Sequence, residues 1–189
     1  EKIQKNFFKG FKKTKIIFIG RLVDQKDPMT FVKALNIIKN KIDFKALIIG
    51  KGYYYKTLKK FLSDNKLKDK IKIINWQKNP YKYLKTSDLL ILTSIYEGLP
   101  NVLLEAQYLK KFIISSDCPT GPKEILLNGK TGHLFAPKNE NQLSKKILDY
   151  CANKKKYNKM IKLAYKNLKR FDSQVNLKNY YNLINKYLI

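Results

Sequence analysis

The sequence predicts an α/β domain built on a parallel sheet with helices on both faces. Three observations carry this. Its strand-like segments are short runs of consecutive apolar residues, such as Ile16-Ile17-Phe18-Ile19 and Leu89-Leu90-Ile91-Leu92, as in strands buried on both sides. Each run ends in a glycine or polar turn and leads into apolar residues at helical spacing. The alternation recurs along 189 residues, enough for one domain with a full core.

Residues 1–14 are a basic, aromatic lead-in that starts at Glu1 rather than Met, which suggests a piece of a longer chain. The first strand is expected at 15–19, followed by a loop and a helix opened by Pro28, with Phe31, Ala34, Leu35 and Ile38 on one face. The second strand, 45–49, runs into Gly50-Lys51-Gly52 and a helix carrying Leu58, Phe61 and Leu62. The third, 71–74, precedes Asn75-Trp76-Gln77 and a short helix from Asn79-Pro80. The fourth, 89–92, leads to a glycine turn and a helix with Pro100 at its first position and Val102, Leu103, Ala106 and Leu109 recurring at helical spacing. The fifth, 112–115, precedes a loop and short helix through Leu126; the sixth spans 133–135. Amphipathic helices are expected near 140–152, 155–170 and 174–188. The whole reads as one Rossmann-like unit over 1–189: lead-in, core at 15–150, and terminal helices at 151–189. Such sheets bind ligands at the carboxyl ends of their strands. Arg21, Lys26, Gly50, Trp76, Glu97 and Asp117 all follow strands and are expected along that one edge, where Glu97, Glu105, Asp117 and Glu124 also gather scarce acid.

The chain holds 40 Lys and Arg against 14 Asp and Glu, a net charge of +26. That excess invites nucleic acid or an anionic membrane. The lysines are spread throughout, however, and no zinc-finger, basic-zipper or RNA-recognition pattern accompanies them. Compositional drift with a gain in solubility is the leading reading, with weak attraction to an anionic membrane second and no nucleic acid partner expected. No apolar run approaches the ~20 residues of a spanning helix, and no signal peptide opens the chain. Two cysteines form no disulfide framework and a single histidine rules out a histidine-based metal site. A reducing, cytoplasmic setting without metal or cofactor is expected.

The stretch that carries chemistry is Ser94-Ile95-Tyr96-Glu97-Gly98-Leu99-Pro100-Asn101-Val102-Leu103-Leu104-Glu105-Ala106. A helix start supplies free N–H groups and a positive dipole end, which suits phosphate. Gly98 lets the backbone turn and approach a ligand. Glu97 and Glu105 are acceptors suited to sugar hydroxyls. Upstream, Gly20-Arg21 with Lys26 is a second anion-binding candidate.

Glu97, seven residues, then Glu105, embedded in Glu-Gly-Leu-Pro-Asn-Val-Leu-Leu-Glu-Ala, resembles the signature of the retaining GT-B glycosyltransferases of family 4, the glycosyl transferases group 1. Gly20-Arg21 and Lys26 are similar to that family's second motif, although Asp27 stands where the family usually has glycine. The resemblance implies the C-terminal, donor-binding half of a GT-B enzyme. It implies transfer of a sugar, UDP-hexose or UDP-N-acetylhexosamine being the expected donors, to a polysaccharide or lipid-linked acceptor. It assigns Glu97 to the donor sugar, Glu105 to the ribose, and Arg21 and Lys26 to the diphosphate. It places Gly20, Gly50, Gly52, Trp76, Gln77, Gly98, Leu99, Pro100, Asn101 and Val102 around the donor. It also implies a missing N-terminal Rossmann-like half, without which the chain is expected to be inactive. The basic charge adds peripheral contact with the inner face of the membrane as an expectation. A non-catalytic nucleotide-binding module and a basic nucleic-acid-binding domain remain alternatives from the residues themselves.

Overall fold

In the computed structural model, which describes residues 7–187, the apolar runs form β1 (Thr14–Ile19), β2 (Phe44–Ile49), β3 (Ile71–Ile74), β4 (Leu89–Leu92), β5 (Phe112–Ser116) and β6 (His133–Phe135). All pair in parallel in the order β3-β2-β1-β4-β5-β6. The chain therefore winds outward from the centre in both directions. The switch point lies between β1 and β4, the place at which open sheets of this kind commonly bind ligands.

Alternation along each strand splits the core into two layers. Ile16, Phe18, Ala46, Ile48, Leu89, Ile91, Phe112 and Ile114 face one side. There they meet α1 (Pro28–Ile38), α2 (Tyr54–Asp64) and α6 (Glu140–Ala152). Ile17, Leu47, Ile49, Leu90, Leu92 and Ile113 face the other. Their partners are α3 (Tyr81–Thr86), α4 (Asn101–Tyr108) and α5 (Pro122–Ile125). Because both faces are covered, the strands need no polar positions. Full burial of one such Ile, Leu or Phe side chain contributes ~1.5–3 kcal/mol.

The helix starts follow from local chemistry. Asp27, in the left-handed region at φ 40°, accepts hydrogen bonds from Thr30 N at 3.1 Å and Thr30 Oγ1 at 2.6 Å, and Pro28 begins α1. A carboxylate thus replaces the expected glycine: Asp tolerates the conformation and caps the helix with its side chain. Asn139 caps α6 through Gln142 N at 2.8 Å, and Gln142 Oε1 accepts from Ala136 N at 2.6 Å.

Three expectations need correction. Pro100 is not the first helical residue; it precedes α4 in extended conformation (ψ 91°), and Asn101 begins the helix. The helix expected at 155–170 divides into a 3₁₀ turn, α7 (Asn158–Asn167) and a second 3₁₀ turn at Leu168–Phe171. The last helix, α8 (Ser173–Tyr187), is not packed by an apolar face: all its described side chains are exposed. Tyr157 and Ala164 are buried, so the packed body continues past residue 150. Residues 1–6 of the lead-in and residue 188 of the expected last helix lie outside the described residues.

Candidate active site

The loops after β1 and β4 flank the switch point, and the sequence fastens them to each other. Thr93 Oγ1 donates to Lys26 O and Asp27 O, both at 2.8 Å. Ile95 N donates to Gln25 O at 2.8 Å, and Gln25 Nε2 donates to Tyr96 O at 3.2 Å. These bonds bring together two charges 71 positions apart: Lys26 Nζ donates to Glu97 Oε1 in a close ion pair, with the side chains only 17% and 6% exposed. Ser94 Oγ donates to the same carboxylate oxygen at 2.5 Å. Glu97 is therefore not a solvated surface acid. Its carboxylate is oriented by charge-assisted hydrogen bonds from an ammonium and a hydroxyl.

The β5 loop completes the frame. Ser116 Oγ donates to Ser94 O at 2.6 Å, Thr120 Oγ1 donates to Glu97 O, and Glu97 N donates to Pro119 O at 3.4 Å. Asp117 and Glu124 are each neutralised by a base, Lys123 at 3.8 Å and Arg170 at 3.3 Å. Arg21 lies exposed at the rim, its Nη2 donating to Gln25 Oε1 at 2.6 Å.

Beside the Lys26–Glu97 pair the chain opens to solvent. Gly98 is not among the glycines with positive φ, and nothing lies within 4 Å of where its Cβ would be. Its service is open space rather than a special turn. Leu99 is 53% exposed, Asn101 is exposed, Val102 is half-buried and Pro100 is buried. No side chain caps α4; Leu103 N donates to Pro100 O at 2.9 Å, and the start of the helix presents its positive dipole end.

Glu105 lies elsewhere on the same helix. It accepts from Tyr81 Oη at 3.3 Å, which pushes the tyrosine hydroxyl up chiefly through the negative charge of the carboxylate. It lines an open apolar groove of about 1030 Å³ with Leu104, Tyr108, Tyr165 and Phe171. The two glutamates thus have separate partners and face different neighbours.

Gly50 and Gly52 have a backbone reason to be glycine. A Cβ on Gly50 would sit 1.9 Å from Gly20 O, and one on Gly52 would sit 2.2 Å from Leu22 O. They allow the β1 and β2 loops to touch, with Gly20 N donating to Ile49 O at 3.0 Å. Trp76 is 61% exposed at the end of β3, so it is a rim residue, and Gln77 bonds back to Asn75 O and Trp76 O at 3.2 Å each. The roles of Ser94, Thr93 and Gln25 escape a reading of the sequence. They come from contacts across chain separations that no local pattern displays.

The matching family model, glycosyl transferases group 1, covers residues 1–167. The chain belongs to this family. A relative from Campylobacter jejuni is 26% identical over 152 residues, 80% of this chain and 40% of its own; it is an N-acetylgalactosamine-N,N'-diacetylbacillosaminyl-diphospho-undecaprenol 4-alpha-N-acetylgalactosaminyltransferase. S. aureus TarM, solved with fondaparinux, alpha-GlcNAc-glycerol and UDP, superposes with a TM-score of 0.83 at 24% identity. That match covers 92% of this chain and 36% of TarM. The C-terminal domain of the group 1 glycosyl transferase LpcC from Francisella tularensis superposes with a TM-score of 0.74 at 22% identity, over 83% of this chain and 85% of that one. The fold is that of the C-terminal, Rossmann-like domain of a group 1 glycosyltransferase. The chain spans between 32% and 49% of the length of the first curated relatives it matches.

Proposed function

We infer that this domain binds the donor of a retaining family 4 glycosyltransferase, which moves a sugar from a nucleoside diphosphate sugar to a polysaccharide or lipid-linked acceptor. UDP-hexose or UDP-N-acetylhexosamine is the proposed donor, in keeping with the UDP held by TarM and the transferase named in Campylobacter jejuni. The observation that carries the reading is the Lys26–Glu97 pair at the switch point, beside the uncapped start of α4. In the reaction the bond from the anomeric carbon to the diphosphate breaks, the acceptor hydroxyl oxygen bonds to that carbon, and the hydroxyl proton passes to the departing diphosphate. Charge accumulates on the leaving diphosphate. Lys26, Arg21 and the α4 N–H groups are the donors available to stabilise it, and donors already aimed at developing charge commonly contribute most to the acceleration of such reactions. Glu97, already oriented by Ser94, accepts from hydroxyls of the donor sugar, and Glu105 accepts from the ribose. With two cations and a helix start at the leaving group, we propose a metal-free reaction. An N-terminal Rossmann-like half completes the cleft, and the enzyme works in the cytoplasm at the inner face of an anionic membrane.

Titration with UDP, GDP and ADP in excess chelator tests the reading; saturable binding of at least one is expected. Glu105→Gln should weaken the ribonucleotide more than its deoxy counterpart, a charge-assisted hydrogen bond contributing about 1.5–3 kcal/mol. Glu97→Gln should weaken the sugar nucleotide and leave the bare diphosphate nearly unchanged. Absence of binding to all three nucleotides would refute the assignment.

A further inference from the structure

Neither donor-site cation stands on a rigid element. Arg21 and Lys26 belong to the loop between β1 and α1, and a long basic side chain on a loop holds its charge only as well as the loop is held. The structure contains a fastening for this loop. Asp24 opens the 3₁₀ turn Asp24–Lys26. Its carboxylate accepts from two successive tyrosines at the start of α2: Tyr53 Oη donates to Oδ2 at 2.5 Å, and Tyr54 Oη donates to Oδ1 at 2.7 Å. The Asp24 N–H donates back to Tyr53 Oη at 2.8 Å. These bonds hold the carboxyl of Asp24 below its usual range and push both tyrosine hydroxyls up.

Packing accounts for only part of this contact. Tyr54 packs against the core, whereas Tyr53 is 65% exposed and meets the Tyr54 ring, 5.3 Å away between centroids, and Asp24 through its hydroxyl. The two residues after Asp24 in the chain reach directly into the site. Gln25 grips Arg21 at 2.6 Å and accepts from Ile95 N at 2.8 Å, and Lys26 meets Glu97. We propose that Asp24, clamped by Tyr53 and Tyr54, is a positioning residue. It sets where Arg21 and Lys26 present their charges to the donor diphosphate without itself touching the donor. The proposal rests on the donor-site reading above. It ties the start of α2, through one carboxylate, to the loops on both sides of the switch point.

The test compares the wild-type chain with Asp24→Ala, Asp24→Asn and the double variant Tyr53→Phe/Tyr54→Phe in two measurements. In the ligand-free protein, amide hydrogen exchange is followed at Lys26, Asp27 and Ile95, whose N–H groups bond to Val23 O, Asp24 O and Gln25 O. Exchange there should quicken about tenfold or more in Asp24→Ala and in the double variant, with the strands unchanged. Unchanged exchange at these amides overturns the proposal whether or not a nucleotide binds. In titrations, UDP binding should weaken about 10–100-fold, by analogy with the loss of outer supports behind metal ligands, while uridine binding is unaffected. Asp24→Asn, which keeps one oxygen for a tyrosine, should recover part of the loss. Equal weakening of UDP and uridine, or no rescue by Asn, would mean a merely structural role and overturn the proposal. Failure of the wild-type chain to bind UDP, GDP or ADP would instead overturn the donor-site reading on which it rests.

Discussion

At the scale of single residues, the chain places its polar groups according to what each must do. Lys26 and Glu97 are held together at the strand ends, whereas the lone histidine is used as packing at the edge of the sheet. His133 begins β6 with its ring edge-on to Phe112, centroids 5.1 Å apart, and to Tyr157 at 5.0 Å. Its Nε2 lies 3.5 Å from Asp149 Oδ2. Burial holds its pKa below the ordinary value, reinforced by Lys146 and opposed by Asp149. The unfolded chain takes up a proton at this position near pH 6.5, whereas the folded chain resists until lower pH. As pH falls through about 6.5 the unfolded state binds more protons, so stability that is fully present above this pH is lost below it. Urea unfolding between about pH 7.5 and 5.5 should therefore show a falling midpoint, and His133→Gln should flatten that slope. Asp149 is held below its usual range first by the Tyr157 hydroxyl, and its contribution is lost only as pH falls below about 3.9, outside this window. An identical slope in wild type and variant would show that His133 does not titrate on unfolding.

Among elements, burial rather than helical pattern decides what matters to stability. The helix α8 has a sequence as periodic as that of α6, yet it buries nothing: Leu177, Tyr180, Tyr181 and Leu183 are 54–65% exposed. A 15-residue helix whose described side chains are all exposed is marginal in water. Removing residues 173–189 should thus change the unfolding free energy of the domain by less than about 0.5 kcal/mol. A larger loss in urea melts would mean that α8 packs on the domain. The same distinction explains what could be read in the sequence. Each strand lies within one residue of its expected bounds because a mostly apolar run, unbroken in Leu89–Leu92 and carrying one lysine in β2 and β3, stands between polar turns. The start of α1 was legible from Pro28. The exposure of α8 was not, because an amphipathic pattern specifies an apolar face but not its partner. Arg21, Lys26 and Glu97 could be found from spacing and family resemblance. Their mutual geometry could not, since the Lys26–Glu97 pair and the Asp24 clamp join residues 71 and 29 positions apart. Nor could sequence show that Gly50 lies against Gly20 O.

For the molecule as a whole, the proposed reading separates binding from transfer. The groups proposed to hold the donor sit on one edge of a packed sheet, so on that reading a nucleotide would find its partners on this domain alone. That edge is open, however: Arg21 and Asn101 are exposed, and the space at Gly98 is unobstructed. Sugar transfer requires the acceptor hydroxyl to be held against the anomeric carbon while water is kept out. Proximity of that kind is worth about 7–11 kcal/mol of the barrier, and nothing among the described residues supplies a second wall on this edge. Relatives that match this chain over 32–49% of their length have further chain with which to build one. The exposed apolar side chains of α8 and the groove beside Glu105 offer surface against which such a wall could pack. The 189-residue chain should therefore bind a nucleoside diphosphate yet show no sustained release of UDP from UDP-sugars, even with lipid-linked and oligosaccharide acceptors present. A coupled assay for released UDP checks this. Steady turnover by the purified chain that disappears in Glu97→Ala would show that one Rossmann-like domain suffices, and that the open edge closes without a second half.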